Sequence, residues 1–384
     1  MWYTFCVKKI ALSIITTICV LFAFLCGCSA SGYTAFSEVY AFSDDILFSA
    51  RILGGRAEYA HERMVKTIAE INAQASTTLQ SGDLYKFNAS SAGNKVQVGE
   101  HVYNLFTLGA EYFEKTNGAF NIAAAPLLSL WHIDALSLGG AVTSLPSPQE
   151  VADALEYCNP ALVTAEEADG KYYLTKLDGR VKLDFGGIAK GYAADRCVDI
   201  LDSYDDIKSA LIDISGNAYF YGNYVAGGRQ LDWNVAVVSP RPRKAIERGY
   251  VCAAVVGADN SAVTSGDYMR YNEFGEGDGK IYVPHILGVD GVPIGLQWND
   301  FTGAWENADE FVISATVIGE SSAVSDILST AVSALGFEAG GALLKNSGYK
   351  GLIFTEKRFT IINGVKLYKP DEYDGFARYT YYEL

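Results

Sequence analysis

Apolar positions along the chain fall into short runs whose period switches repeatedly between about 2 and about 3.6 residues, the two spacings of strand and helix. The run 46–53 (ILFSARIL) predicts a strand. From 58 to 75, Met64, Ile68 and Ile71 recur at helical spacing. Over 99–117, Val102, Leu105, Phe106 and Phe113 give a second helix an apolar side, and Gly118 stops it. The segment 147–157 opens with Ser147, Pro148 and Glu150, residues suited to a helix N-terminus. Short alternating runs at 161–164, 171–176 and 180–184 predict strands, and a helix follows over 188–201. Strand-like runs recur at 209–214, 218–222, 232–238, 250–256, 280–283 and 311–318. A helix over 323–335 and two strands, 351–355 and 359–363, close the core. Neither an internal repeat nor a Pro-rich linker interrupts the order. Helices mixed with many short strands predict an α+β fold of mixed short-stranded sheets with packed helices.

The N-terminus follows a different logic. Lys8 and Lys9 precede an apolar or weakly polar run over 10–25, in the manner of a secretory signal. That run ends Leu25-Cys26-Gly27-Cys28-Ser29, which resembles a bacterial lipobox. The pattern predicts cleavage after residue 27 and lipidation of Cys28; a plain signal peptide or an uncleaved anchor is the alternative. The expected organisation is a signal peptide at 1–27, a tether at 28–40, one domain at 41–370 and a tail at 371–384. The expected location is the outer face of the cytoplasmic membrane, or the periplasm.

Composition narrows the function. With 49% apolar residues among 384, a large core is available. The formal charge of −15 leaves no electrostatic footprint for nucleic acid, so no nucleic-acid partner is expected. An anionic substrate would need local donors or a metal. The later cysteines Cys158, Cys197 and Cys252 form no CxxC pair and read as buried thiols.

Three constellations carry candidate chemistry. The first is DFGGIAKGYAAD, 184–195. Here Asp184 ends an extended run, Gly186 and Gly187 let a ligand approach the backbone, and a helix start offers free N–H groups to phosphate with Lys190 nearby. A tight turn with solvated Lys and Asp is the plainer alternative. The second is SSAVSDILSTAVS, 321–333, where Val324, Ile327, Leu328, Ala331 and Leu335 form one apolar stripe. Asp326 and Thr330 share another face, with Ser322, Ser329 and Ser333 near it. Carboxylate plus hydroxyl suits a hard cation such as Mg²⁺, although small polar residues also suit helix packing. The third is VTSGDYMRY, 263–271, followed by Pro284-His285-Ile286. His285 fits a proton acceptor, a phosphate donor, or a structural histidine beside a strand. The segment GEGDG, 275–279, reads as a hairpin turn.

Taken in order with TNGAFN and PLLSLW upstream, these motifs resemble the ApbE family, the FAD:protein FMN transferases, from about residue 42 to 365. The resemblance implies an ApbE-like fold that uses Mg²⁺ to split FAD. FMN would pass to a Thr or Ser hydroxyl of an exported or membrane flavoprotein, with AMP leaving. It further implies that Asp184 and Lys190 hold FAD, that the Gly187 backbone faces the metal, and that Asp326, Ser329 and Thr330 stand at ligand positions. His285 and Ile286 would adjoin the reacting phosphate, with His285 as proton acceptor, while Asn88 and Trp131 lie in flavin-lining motifs. Lipid anchoring is also usual in the family. The flavin-facing motifs depart from the pattern at Ser43-Asp44-Asp45, Ser76-Thr77-Thr78, Asn121-Ile122-Ala123 and Gly288-Val289-Asp290-Gly291. Two other activities fit the same motifs: an FAD pyrophosphatase, and an FAD-binding lipoprotein without turnover.

Overall fold

The computed structural model describes residues 35–41, 46–133, 144–238, 240, 250–267, 271–275, 280–368 and 380–383. Cys28, the Ser43-Asp44-Asp45 motif, Tyr268-Met269-Arg270 and residues 276–279 lie outside the described residues.

A nine-stranded sheet organises the chain, and its strands lie side by side in sequence order. They are β1 (Ala35–Ala41), β2 (Leu47–Gly54), β3 (Ile207–Ile214), β4 (Asn217–Tyr221), β5 (Asn260–Gly266), β6 (Ser314–Gly319), β7 (Lys350–Phe354), β8 (Arg358–Ile362) and β9 (Thr380–Glu383). Neighbours are antiparallel except the last pair, β8 with β9, which is parallel. The alternating burial of β2 faces Phe48, Ala50 and Ile52 into the core, as its pattern requires.

Between β2 and β3 the chain leaves the sheet to build helices α1 (Ala57–Ala75), α2 (Asp83–Ala89), α3 (Glu100–Lys115), α4 (Ala125–Leu130), α5 (Pro148–Leu155) and α6 (Ala189–Asp202). The last helix, α7 (Ser322–Ser347), connects β6 to β7. Met64, Ile68 and Ile71 of α1 join Ala194 and Cys197 of α6 and Ile327 of α7 in one core cluster with β2 and β3. A second cluster unites Trp233, Val251 and Cys252 of the hairpin 233–256 with Leu352, Phe354 and Phe359. Thus the sheet is covered on both sides, and the site elements α6, α7 and β5 meet at its centre. The helix start expected at Ser147 is present, closed by a capping box between Ser147 and Glu150 at the start of α5.

Several boundaries differ from the sequence reading, each for a physical reason. Residues 35–40, assigned to the tether, belong to β1, where Phe36 packs on His61 with ring centroids 5.0 Å apart. Within the expected tail, Thr380–Glu383 returns as an edge strand. The run 180–184 is not a strand. The Leu183 N–H goes to Asn88 Oδ1 at 2.8 Å, and the Asp184 N–H goes to Ile122 O at 2.8 Å. Those amides are satisfied without a ladder. The helix expected to end at 335 passes a kink at Gly336 (φ 80°, ψ −178°) and runs on to Ser347. Unanticipated elements include α2, α4 and β5. The paired strands Tyr271–Phe274 and Ile281–Pro284 flank the expected GEGDG turn.

Candidate functional site

α6 starts from a turn that its own residues close. Asp184 Oδ1 accepts the Gly186 N–H at 2.7 Å, a side-chain turn that swings the chain into the helix. Lys190 Nζ donates to Gly186 O at 3.2 Å, so its ammonium stays over the helix start. One residue on, Gly191 lies against α7. A Cβ at Gly191 would stand 2.3 Å from Ser322 O and 2.8 Å from Ala323 Cα. Only glycine permits this helix separation.

At that contact sits Asp326, 3% exposed. Its Oδ2 accepts the Gly191 N–H at 3.0 Å and lies 3.7 Å from Lys190 Nζ. Burial pushes the Asp326 carboxyl above its ordinary range, while Lys190, the Gly191 N–H and the Asn217 amide each pull it back. The net direction is upward, so one ammonium at that distance does not fully offset the desolvation of the charge.

The hydroxyls on the same helix have a readable order. Ser329 Oγ donates to Asp326 O at 2.9 Å. Ser265 of β5 must therefore be the donor in its 2.7 Å bond to Ser329 Oγ, since each hydroxyl has one proton. Thr330 Oγ1, 3.2 Å from Ser265 Oγ, is then left to donate to Ser265. Its two lone pairs remain for another ligand. A Cβ at Gly187 would lie 3.6 Å from Thr330 Oγ1 and 3.1 Å from the Phe120 ring, so the glycine brings bare backbone close to Thr330.

Gly187, Lys190, Asp326, Ser329 and Thr330 are thus brought together. Among the described residues, no group of three or more His, Cys, Asp or Glu side chains converges on a point. The cluster offers one carboxylate, hydroxyl oxygens and backbone, the donor chemistry of a hard cation rather than a soft one. Its buried, incompletely offset carboxylate fits Mg²⁺.

His285, half-buried, follows the strand Ile281–Pro284, and Ile286 is buried with its carbonyl accepting the Ile294 N–H at 2.9 Å. The turn after them rests on α7, since a Cβ at Gly288 would lie 3.8 Å from Ala334 O, one helical turn beyond Thr330. A cavity of about 440 Å³ opens beside this segment, lined by Pro284, Asp267, Tyr271, Tyr282 and Phe311 among others.

Asn88 and Trp131 both hold backbone near the site. Asn88 clamps Leu183 with both ends of its amide, Nδ2 to Leu183 O and Oδ1 from Leu183 N–H, each at 2.8 Å. Trp131 is fully buried, with Nε1 donating to Gly291 O at 2.9 Å and its ring edge-on to Trp305. Each fixes the backbone beside a candidate functional residue: Asp184 in the first case, the turn after His285 in the second. At the altered flavin-facing motif, Thr78 is exposed, and Ser76 Oγ accepts the N–H groups of Thr78 and Leu79 at 3.2 and 3.0 Å.

The sequence reading gave no role to Gly191, Asp195 or Ser265, although they lie in its motifs, and did not single out Asn217. A glycine inside a helical pattern signals close packing and could have marked Gly191. The other three owe their place to distant elements meeting, which spacing does not encode.

The fold that brings this cluster to a helix junction is shared with solved flavin transferases. The apo form of flavinyl transferase ApbE from Pseudomonas stutzeri superposes with a TM-score of 0.67 at 23% identity, covering 91% of this chain and 99% of that one. The ApbE protein from Thermotoga maritima gives 0.65 at 24% identity, covering 88% and 98%. At these identities the likeness concerns the fold. The model of the ApbE family matches residues 39–353, and the chain belongs to the ApbE family. A Treponema pallidum protein named FAD:protein FMN transferase is 30% identical over 364 residues, covering 90% of this chain and 93% of the relative. A Klebsiella pneumoniae protein of the same name is 27% identical over 332 residues, covering 85% and 92%.

Proposed function

We propose that this chain is an FAD:protein FMN transferase that moves FMN from FAD to a Thr or Ser hydroxyl of an exported or membrane flavoprotein and releases AMP. The observation that carries the reading is the buried Asp326 carboxylate set among Thr330, Ser329, Gly187 and Lys190. Asp326, Thr330 and Ser329, with the Gly187 backbone, would hold Mg²⁺; when bound, the ion neutralises the diphosphate and the departing AMP. Lys190 and the first N–H groups of α6 position the diphosphate. Asp184 holds FAD at the turn. His285 takes the proton of the acceptor hydroxyl as its oxygen bonds to the FMN phosphorus. The bridging P–O bond breaks, and AMP leaves with the bridging oxygen. Positioning and charge, not a covalent enzyme intermediate, supply the rate.

The chain would work outside the cytoplasmic membrane, held by lipid on Cys28. Support comes from Lys8, Lys9, the apolar run and the Leu25–Cys28 box. The deciding experiment incubates the full chain with FAD, Mg²⁺ and a Thr-bearing acceptor. FMN covalently on the acceptor with equimolar AMP is expected. Free FMN without adduct would instead make the chain an FAD pyrophosphatase, and intact bound FAD would make it a binder.

A further inference from the structure

Asp195 lies on α6, yet it holds the start of α7. Its Oδ2 accepts from Ser321 Oγ at 2.7 Å and from the Ala323 N–H at 3.0 Å, and its Oδ1 accepts the Ser322 N–H at 2.7 Å. Ser321 Oγ in turn accepts the Val324 N–H at 3.2 Å. The carboxylate therefore satisfies two of the first helix amides directly and supports the Ser321 cap that takes a third. It also places negative charge at the positive end of the helix. One turn earlier on α6, Gly191 donates to Asp326, which sits on α7 one turn past that cap. Each helix thus gives one carboxylate to backbone N–H groups of the other. Between the two contacts, Gly191 packs on the Ser322 backbone with no room for a Cβ.

We propose that Asp195 is a positioning residue for the cation site, fixing the rotation and height of α7 against α6. A helix turns about 100° per residue, so a slip of one residue would carry Asp326 and Thr330 away from Gly187 and Lys190. Ser329 and Thr330 would lose Ser265 in the same movement, because β5 is fixed in the sheet. The role rests on the cation-site reading above, and it concerns geometry upstream of any chemistry.

The test uses the detergent-purified full chain with Mn²⁺ as probe, followed by electron paramagnetic resonance. In Asp195→Asn one acceptor oxygen becomes an NH₂ group that faces an N–H donor, with no change in size. Circular dichroism should report a folded protein, Mn²⁺ affinity should fall at least tenfold, and hydrogen exchange at the Gly191 amide should quicken at least tenfold. Asp195→Glu, which restores both oxygens, should recover part of each, and it decides the question by the same two readouts if Asp195→Asn does not fold. Ser147→Ala removes the cap of α5 instead. It should lower the melting temperature while leaving Mn²⁺ affinity unchanged, separating positioning from general stability. A folded Asp195→Asn protein with wild-type Mn²⁺ affinity and wild-type Gly191 exchange overturns the positioning role alone. A wild type that takes up no Mn²⁺ removes the cation site, and this role with it.

Discussion

Asp326 concentrates the residue-scale argument. From sequence alone, Asp326→Ala should melt like wild type, because the apolar stripe of its helix is untouched. The structure changes that expectation, since the Gly191 N–H donates to this carboxylate in a buried place. Alanine leaves that donor unpaired, at a cost of about 1–3 kcal/mol. Asp326→Asn keeps an acceptor oxygen and is the cleaner variant. It should fold near wild-type stability and release no AMP from FAD with Mg²⁺. Thermal melting adds a second readout. A cation bound there should raise the wild-type melting temperature, by mass action, and leave Asp326→Asn unmoved. Wild-type AMP release from folded Asp326→Asn would remove the cation site from the mechanism. Thr330→Ala should cost less, because water replaces a neutral ligand. On the flavin side, Thr78 offers no ring, and Trp131 is sealed in the core. A stacked aromatic contributes about 0.5–1.5 kcal/mol, so Thr78→Tyr should tighten FAD binding by at most about tenfold. Fluorescence titration of flavin checks this; equal affinities would mean that another ring already covers the isoalloxazine.

At the scale of elements, the α6–α7 junction is the sensitive joint. Gly191→Ala would put a methyl group 2.3 Å from the Ser322 carbonyl, against backbone that cannot rotate away. Overpacking of this kind costs about 1–3 kcal/mol. It should also part Asp326 from Gly191 and Lys190, so a lowered melting temperature should come with lost AMP release. A stable and active Gly191→Ala protein would show that the helices have slack. Helices were legible in advance, among them α1 and α3 from their apolar spacing, α6, and the start of α5 from Ser147, Pro148 and Glu150. β5 was not, because its site-facing residues are Ser261 and Ser265, whose hydroxyls bond Ser325 and Ser329 of α7. Burial achieved through hydroxyl pairs reads as polarity in a sequence. The run at 180–184 misled for the opposite reason: it alternates like a strand, but Asn88, 95 residues away, takes its backbone groups. The site shows the same division. Lys190, Asp326 and Thr330 each lie in a motif with its own spacing. Ser265 and Asp195 lie in motifs too, but their partners, like those of Asn217, appear only where β4, β5 and α6 converge on α7.

The whole molecule carries its buried ionisable groups into a definite alkaline stability profile. Lys176 is fully buried, its ammonium donating to Asn88 O at 2.9 Å and Ser90 O at 3.4 Å, and desolvation with Lys182 nearby pulls it from 10.5 to about 8. Burial acts on the thiols in the other sense, pushing Cys158 from 9.0 to about 11 and Cys252 to about 12, and raising Cys197 as well. Between about pH 7 and 8 the folded chain has begun to lose the Lys176 proton while the unfolded chain keeps it, so stability rises with pH. Above about pH 8.5 the unfolded chain sheds three thiol protons that the folded chain retains, and stability falls. Three thiols outweigh one lysine, leaving a net slope of about two protons, or about 2–3 kcal/mol per pH unit when all titrate fully. Tyr221 and Tyr349, each raised to about 12, steepen the fall above pH 10. The expected curve therefore peaks near pH 8.5, about where the two losses are equal, measured as unfolding free energy in guanidinium under reducing conditions. Lys176→Met should abolish the rise below that peak, and Cys197→Ala should make the descent shallower by about one proton. If Lys176→Met keeps the same rise from about pH 7 to 8, the lysine does not carry its charge into the core, and the assignment of the peak fails.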